Sequence, residues 1–298
     1  MYLIPAILFL VLSLLLTYVF CLAFQNTRLM DKPNHRSLHS IPTVRGGGLV
    51  FIGLPLLAIP YLAYLTQTPM ISQFVWIIGS LCIATVSFLD DLYQLSARVR
   101  FIIQGVAALL IIFFMRPSFL DFRLFTFTST LLIIPFLFIT VIWAINHFNF
   151  MDGLDGFCGS QALFLFCSYA LLFHFHDAVF YQGLCVLFSL SLVGFLSFNF
   201  PPAKLFMGDI GSATLGYILF SLALIGQNQE NIPLVYWFLL NALFLFDSVI
   251  TLLRRIKNKE AIFSAHKKHA YQRLKLLGVN TRLILLGQML INACFLTL

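Results

Sequence analysis

The chain is a succession of apolar runs too long for a fold that lives in water. Leu3 to Phe24 and Trp237 to Leu253 hold one charged residue between them, Asp247. A helix crosses the hydrocarbon of a bilayer in about 20 apolar residues. Inside lipid every backbone polar group must pair within the chain, so continuous runs of that length become helices. A β-barrel would instead alternate apolar and polar residues in segments of about 10. The composition agrees: 60% of the residues are apolar and 10% are charged, against about 25% charged in soluble domains. The expected fold class is all-α: a polytopic integral membrane protein with the lipid bilayer as its first partner.

Runs and breaks place ten spans near 3–24, 48–66, 70–89, 99–115, 125–145, 157–174, 178–198, 211–227, 232–253 and 281–297. The first run has no basic residue before it and no small-residue cleavage site after a short apolar core, so it reads as a retained span. Everything reads as one membrane domain over residues 1–298, with no repeat and no soluble module. Ten spans put connections 25–47, 90–98, 146–156, 199–210 and 254–280 on one side and four short ones on the other. Of the 18 Lys and Arg residues, all but Arg116 and Arg123 fall on or beside the five long connections. The positive-inside rule makes that side cytoplasmic and both termini external. The basic residues are spread over span ends with no nucleic-acid module, so nucleic acid is excluded as a partner. No GxxxG pattern stands out within a span, which leaves a homodimer open. The six cysteines lie in or at the ends of apolar runs, as small packing residues do.

Polar residues with chemistry concentrate in the five long connections. Asp90-Asp91 follows the third span, and adjacent carboxylates are relieved by a divalent cation or a shared proton; the plain alternative is a cap on the next helix. Asn146 to Gly156 holds Asn149 and two Asp-Gly steps. Asp152 and Asp155 are three apart, so a helical turn there puts both on one side. Asp209 stands between Gly208 and Ile210-Gly211 at a helix start, where amides favour anions, with Lys204 upstream to meet a phosphate. His266 and His269 recur at helical spacing with Gln272 or Arg273. Lys267, Lys268 and Arg273 around them suit an anionic diphosphate better than zinc; the plain alternative is a solvated basic loop. The stretch Asp31 to Gly48 ends in three glycines that either approach a ligand or bend the chain; its histidines and basic residues suit phosphate contact. Asp247 lies inside a span, where an acid is a functional candidate by default, with a pairing role as the alternative.

These five stretches, in this order, resemble the polyprenyl-phosphate N-acetylhexosamine-1-phosphate transferases. That family includes the enzyme of peptidoglycan lipid I formation and the initiators of O-antigen and teichoic-acid synthesis. The resemblance runs from Asp31 to Leu274. It implies that Asp90 and Asp91 are the family's aspartate pair, with Ser96, Arg100 and Gln104 fitting the segment after it. Asn149, Asp152 and Asp155 fit its Asn-x-x-Asp-Gly-x-Asp-Gly loop, Asp209 its Met-Gly-Asp magnesium ligand, and His266 and His269 its histidine motif. His147 departs from the small residue often found there. The resemblance further implies catalysis by Asp90, Asp91, Asp152, Asp155, His266 and His269, and a metal, Mg2+ or Mn2+, on Asp209 and Asp91. Substrate contacts would come from Asn149, Lys204, Arg100, Gln272 and Arg273. The implied substrates are a UDP-N-acetylhexosamine and undecaprenyl or another polyprenyl phosphate, with UMP released at the cytoplasmic face of a bacterial inner membrane. The O-antigen and surface-polysaccharide branch fits better than the muramoyl-pentapeptide branch. A lipid-linked substrate transporter is the rival from another class; it needs polar groups through the depth of the membrane, and nine of the ten spans lack an interior acid.

Overall fold

The structure is a computed structural model that describes residues 3–33, 41–261 and 266–296. The middle of the glycine-ended stretch, with His35, Arg36 and His39, lies outside the described residues, as does Ser264. The helices are α1 (Leu3–Ala23), α2 (Gly48–Thr66), α3 (Phe74–Tyr93), α4 (Ala97–Met115), α5 (Thr130–Met151) and α6 (Phe157–Phe175). They continue with α7 (Val179–Asn199), α8 (Gly208–Gln229), α9 (Val235–Leu240), α10 (Ala242–Lys257), α11 (Ala270–Leu276) and α12 (Thr281–Leu296). Eight of them, α1 to α8, are long and apolar enough to cross a membrane, with a 3-10 turn at Met70–Gln73 extending α3. The protein is a multi-pass membrane protein. Two small antiparallel pairs, Met30–Asp31 with Thr43–Val44 and Leu120–Asp121 with Thr126–Phe127, are the described strands.

The last two expected spans take a different form. The run 232–253 is two helices, α9 and α10, that meet at Asn241. The tenth, α12, has 16 residues. The meeting point is held by polar side chains of its neighbours. Gln161 on α6 donates to the Leu240 carbonyl at 3.2 Å, and the Asn241 amide lies 2.6 Å from His147 Nε2. His147 Nδ1 is 2.9 Å from the Trp143 carbonyl, which makes Nδ1 the protonated nitrogen and Nε2 the acceptor for Asn241. Irregular backbone at membrane depth is tolerated where protein satisfies it; Gln161 does so at the Leu240 carbonyl, while His147 holds the Asn241 side chain.

The centre of the bundle is α8. Every residue from Ile210 to Gln227 is buried, as expected of a helix apolar all round. Its neighbours come close because glycines face them. A methyl group on Gly48 of α2 would strike the Gly211 backbone, and one on Gly216 would strike the Ala144 carbonyl of α5. Small residues at such crossings let membrane helices pack without a hydrophobic drive between them.

The five long connections meet at one end of this bundle. Phe206 N donates to Val44 O at 2.8 Å and Gly47 N to Phe206 O at 2.9 Å, so the first and fourth connections run side by side. Ala203 N donates to Asp155 Oδ2 at 3.0 Å, joining the third, and Arg282 reaches the Pro201 carbonyl at 3.3 Å. The glycine run therefore packs on the segment that leads into α8. Gly48 needs its missing side chain for that approach and not for a ligand. The opposite end is stitched by neutral groups: Gln227 Oε1 accepts from Asp121 N at 3.1 Å and from Leu234 N at 3.0 Å.

Candidate active site

The acids gather at the start of α8. The third helix continues to Tyr93, four residues past its expected end, so Asp90 and Asp91 belong to its last turn and are buried. They do not cap the next helix. That cap is Ser96, which accepts from Val99 N at 3.5 Å. Asp91 caps α8 instead, 118 residues away: Oδ1 accepts from Asp209 N and Oδ2 from Ile210 N, both at 3.1 Å. Gly208, at φ +72°, brings the chain past Asp91, and a side chain there would stand 2.6 Å from Asp91 Oδ2. Arg45, at the head of the glycine run, donates to the Asp91 backbone carbonyl and holds Nε 3.8 Å from Oδ1. Asp91 thus spends both carboxylate oxygens on the backbone that carries Asp209.

Asp90, its neighbour, is placed differently. Arg100, one turn into α4, donates through Nη1 to Asp90 Oδ2 at 2.7 Å and to Asp209 Oδ2 at 3.3 Å. One guanidinium nitrogen therefore bridges two carboxylates from helices far apart in the chain. A turn further along α4, buried Gln104 accepts from Asn146 Nδ2 at 2.8 Å. Asn149, in the last turn of α5, donates to Ser212 Oγ at 3.3 Å and ties α5 to the first turn of α8.

Asp152 and Asp155 do not share a helical face. Helix α5 ends at Met151, Asp152 is its C-cap, and Gly156 turns with φ +73° before α6 begins. Two Asp-Gly steps in a row break the helix before Asp155 can follow Asp152 around it. Asp155 turns to Ala203 N, whereas burial and then the charges of Asp209, Asp91 and Asp155 push the Asp152 carboxyl well above the usual carboxylate range. Asp152 is thus an acid of the same cluster, and Asp155 a brace beside it.

The histidines are also non-helical. Helix α11 starts only at Ala270; His269 is its N-cap, with extended φ −61° and ψ 150°, and Gln272 Oε1 accepts from His269 N at 3.3 Å. The expected helical face of His266, His269, Gln272 and Arg273 is therefore not formed, because the cap consumes Gln272 and helix geometry begins after His269. The two rings still lie together, with centroids 4.9 Å apart. His269 is buried, stacked at 6.3 Å on Phe150 and at 5.9 Å on Tyr271. Tyr271 donates to the Phe150 carbonyl at 3.0 Å, and its hydroxyl occupies the space a side chain on Gly153 would need. That contact sets the histidine segment against the Asp152 turn. Burial, followed by the charges of Arg255, His269 and Lys268, lowers the His266 pKa to about 4, so its ring is neutral at pH 7. Arg273 is exposed, and Lys204 lines a separate cavity of about 470 Å³ with Cys21, Gln25, Asn26 and Thr43.

Arg45 and Tyr271 are site residues that residue-by-residue reading passed over. Arg45 counted among the basic residues suited to phosphate contact, not as a partner of Asp91, and Tyr271 had no role assigned between His269 and Gln272. Neither carries a local signal beyond its place in those stretches.

A cation has a place in this donor set. Among the described residues no three His, Cys, Asp or Glu side chains converge on one point. Magnesium does not require that; it takes one or two carboxylates and completes its shell with water and phosphate oxygens. Asp90 and Asp209 already share one positive group in Arg100, and Asp209 keeps about a third of its side chain exposed. The pair fits a hard cation, while Asp91 has its oxygens engaged elsewhere.

Comparison with known proteins points the same way. The profile of glycosyl transferase family 4 matches residues 73–227, from the turn before α3 to the end of α8. A probable undecaprenyl-phosphate N-acetylglucosaminyl 1-phosphate transferase of Bacillus subtilis is 33% identical over 275 residues, covering 89% of this chain and 75% of that protein. An undecaprenyl-phosphate alpha-N-acetylglucosaminyl 1-phosphate transferase of Thermotoga maritima is 28% identical over 88% of this chain and 78% of its own. A phospho-N-acetylmuramoyl-pentapeptide-transferase of a Wolbachia from Brugia malayi is 34% identical, over 65% of this chain and 63% of its own.

Proposed function

The chain belongs to glycosyl transferase family 4 and is a membrane phosphoglycosyltransferase, and from that premise we propose that it moves an N-acetylhexosamine 1-phosphate from a UDP-sugar onto a polyprenyl phosphate and releases UMP. One observation carries the reading to particular residues: Asp90 of α3 and Asp209 of α8, 119 residues apart in the chain, meet on Arg100 Nη1 at 2.7 and 3.3 Å. The N-acetylglucosaminyl relatives align over more of the chain than the muramoyl-pentapeptide relative does, which supports N-acetylglucosamine as the sugar. The reaction would face the cytoplasm of a bacterial inner membrane, because the basic residues collect at the site end.

In the transfer, an oxygen of the lipid phosphate bonds to the β-phosphorus of the UDP-sugar. The bond from that phosphorus to the bridging oxygen breaks, and UMP leaves with the electron pair. A phosphate monoester has a second pKa of about 6, so the acceptor arrives mostly dianionic at neutral pH and needs placement more than deprotonation. Asp90 and Asp209 would hold Mg2+ or Mn2+, which as a Lewis acid offsets the charge on the phosphates. Asp91 orients Asp209 by gripping its N–H and the next. Arg100 keeps Asp90 and Asp209 together when both are ionised. His269 and neutral His266 offer ring N–H groups to the phosphate oxygens where charge develops.

The test is direct. Purified protein in detergent, given Mg2+, a short polyprenyl phosphate and a panel of UDP-N-acetylhexosamines, should release UMP. One donor should yield a lipid diphosphate sugar identifiable by mass spectrometry. Folded protein that releases no UMP with any donor defeats the reading. Detergent abolishes vectorial transport but not transfer, so UMP release also excludes the transporter.

A further inference from the structure

Asp247 is the acid that the site does not absorb. It lies on α10, inside the apolar run 232–253, with a side chain about one-eighth exposed. One contact, Thr251, lies a turn along its own helix; the others lie across the site. Both carboxylate oxygens accept from Ala270 N at 2.9 Å, and Oδ1 accepts from Thr251 Oγ1 at 3.1 Å. Oδ1 also lies 3.4 Å from His269 Nδ1. That nitrogen is buried and has no partner of good hydrogen-bond geometry.

A cap alone does not explain a carboxylate here. Helix α11 has seven residues, and a neutral Ser or Asn caps a helix as well as Asp does. Keeping an ionised group in an apolar run is costly unless something uses the charge. The group within reach is the imidazole. Catalytic hydrogen bonds are often long before substrate arrives and tighten in the complex, and 3.4 Å to an unpartnered nitrogen is such a distance. A carboxylate on one ring nitrogen fixes the tautomer and leaves the other nitrogen to act.

We propose that Asp247 is a positioning residue: it anchors the histidine segment through Ala270 and holds His269 as the Nδ1–H tautomer, so that Nε2 addresses the substrate phosphates. This rests on the transfer reaction proposed above.

The isosteric change Asp247→Asn separates the two jobs. Asn still accepts from Ala270 N but removes the charge facing His269. Turnover should fall ten- to a hundred-fold, the range seen when an orienting partner is lost. KM for UDP-N-acetylglucosamine and the melting temperature should hold. In a His269→Gln background the same change should cost nothing further, because residues acting through one group are non-additive. In histidine-15N-labelled protein, Asp247→Asn should shift the His269 ring-nitrogen signals away from the Nδ1–H form. Wild-type turnover in Asp247→Asn, or losses that multiply in the double variant, overturns the proposal. Should the Asn variant not fold, Thr251→Val loosens the same carboxylate, and a several-fold loss of turnover at constant KM is expected; unchanged turnover overturns the proposal. If the wild type itself releases no UMP, the transfer reading fails separately, and the ring-nitrogen signals still decide whether Asp247 orients His269.

Discussion

The two ends of α8 solve one problem in opposite ways. A backbone N–H taken out of water must find an acceptor. At the far end one neutral amide, Gln227, takes the Asp121 and Leu234 N–H groups. At the near end Asp91 takes two N–H groups with a carboxylate, and Asp90, Asp209 and Asp152 crowd beside it with Arg100 and Arg45. Gln227 shows that a neutral side chain suffices to take two backbone N–H groups there. The acids at the near end exceed structural need, and that excess marks chemistry better than any single motif.

If the contrast is right, substitutions at the two ends separate activity from stability. The largest effect belongs to Asp90→Asn and Asp209→Asn, which should each lower UMP release about a thousandfold, within the range for positioned catalytic groups, with no loss of melting temperature. Full turnover in both would erase the distinction. Asp91→Asn should come next and damage both properties. An amide has one accepting oxygen where two N–H groups point, so the variant should lose about 1–2 kcal/mol of cap stability and, through a displaced Asp209, about a hundredfold in turnover. Gln227→Ala sharpens the contrast from the other end. It strands two buried N–H groups at about 1–3 kcal/mol each, read as a lower melting temperature, yet turnover per folded molecule should stay within twofold.

The smallest effect is a pH signature at Asp152. Its pKa is raised in the fold, so the native protein binds that proton more tightly than the unfolded chain does. Stability from this group is therefore present while it is protonated and is lost as pH rises through the native pKa. Asp152→Asn should raise the melting temperature by a few degrees at pH 8 and leave it unchanged at pH 4, while turnover falls. A melting temperature that drops at pH 8 would show that the carboxylate is instead stabilised by its surroundings.

His147 shows what a local departure can mean. In place of the small residue often found at that position, it makes a polar contact from α5 to the α9–α10 junction, 2.6 Å from Asn241. The ninth apolar run looked continuous because hydropathy averages over residues, and a junction between two helices at Asn241 leaves the average unchanged. The glycine run 46–48 looked equally able to serve a ligand or a bend. Its use became visible only with Gly211 opposite Gly48.

The first eight spans, their alternation and the gathering of acids on one set of connections were legible along the chain, because apolar length is a sum over neighbouring residues and needs no knowledge of partners. The family resemblance was legible for the same reason: it lies in the order of short stretches. The partners of the polar groups were not. For Asp91 a cation and a cap on the following helix both stood open, yet its oxygens close a helix 118 residues away. The histidines were placed on a helix that starts only after them, and Asp247 had no assigned partner until Ala270 and His269 came beside it. A buried charge is satisfied by whatever packing brings within about 3 Å, and which segments become neighbours is settled by the close helix crossings around α8, a property of the whole bundle that no local run of residues contains.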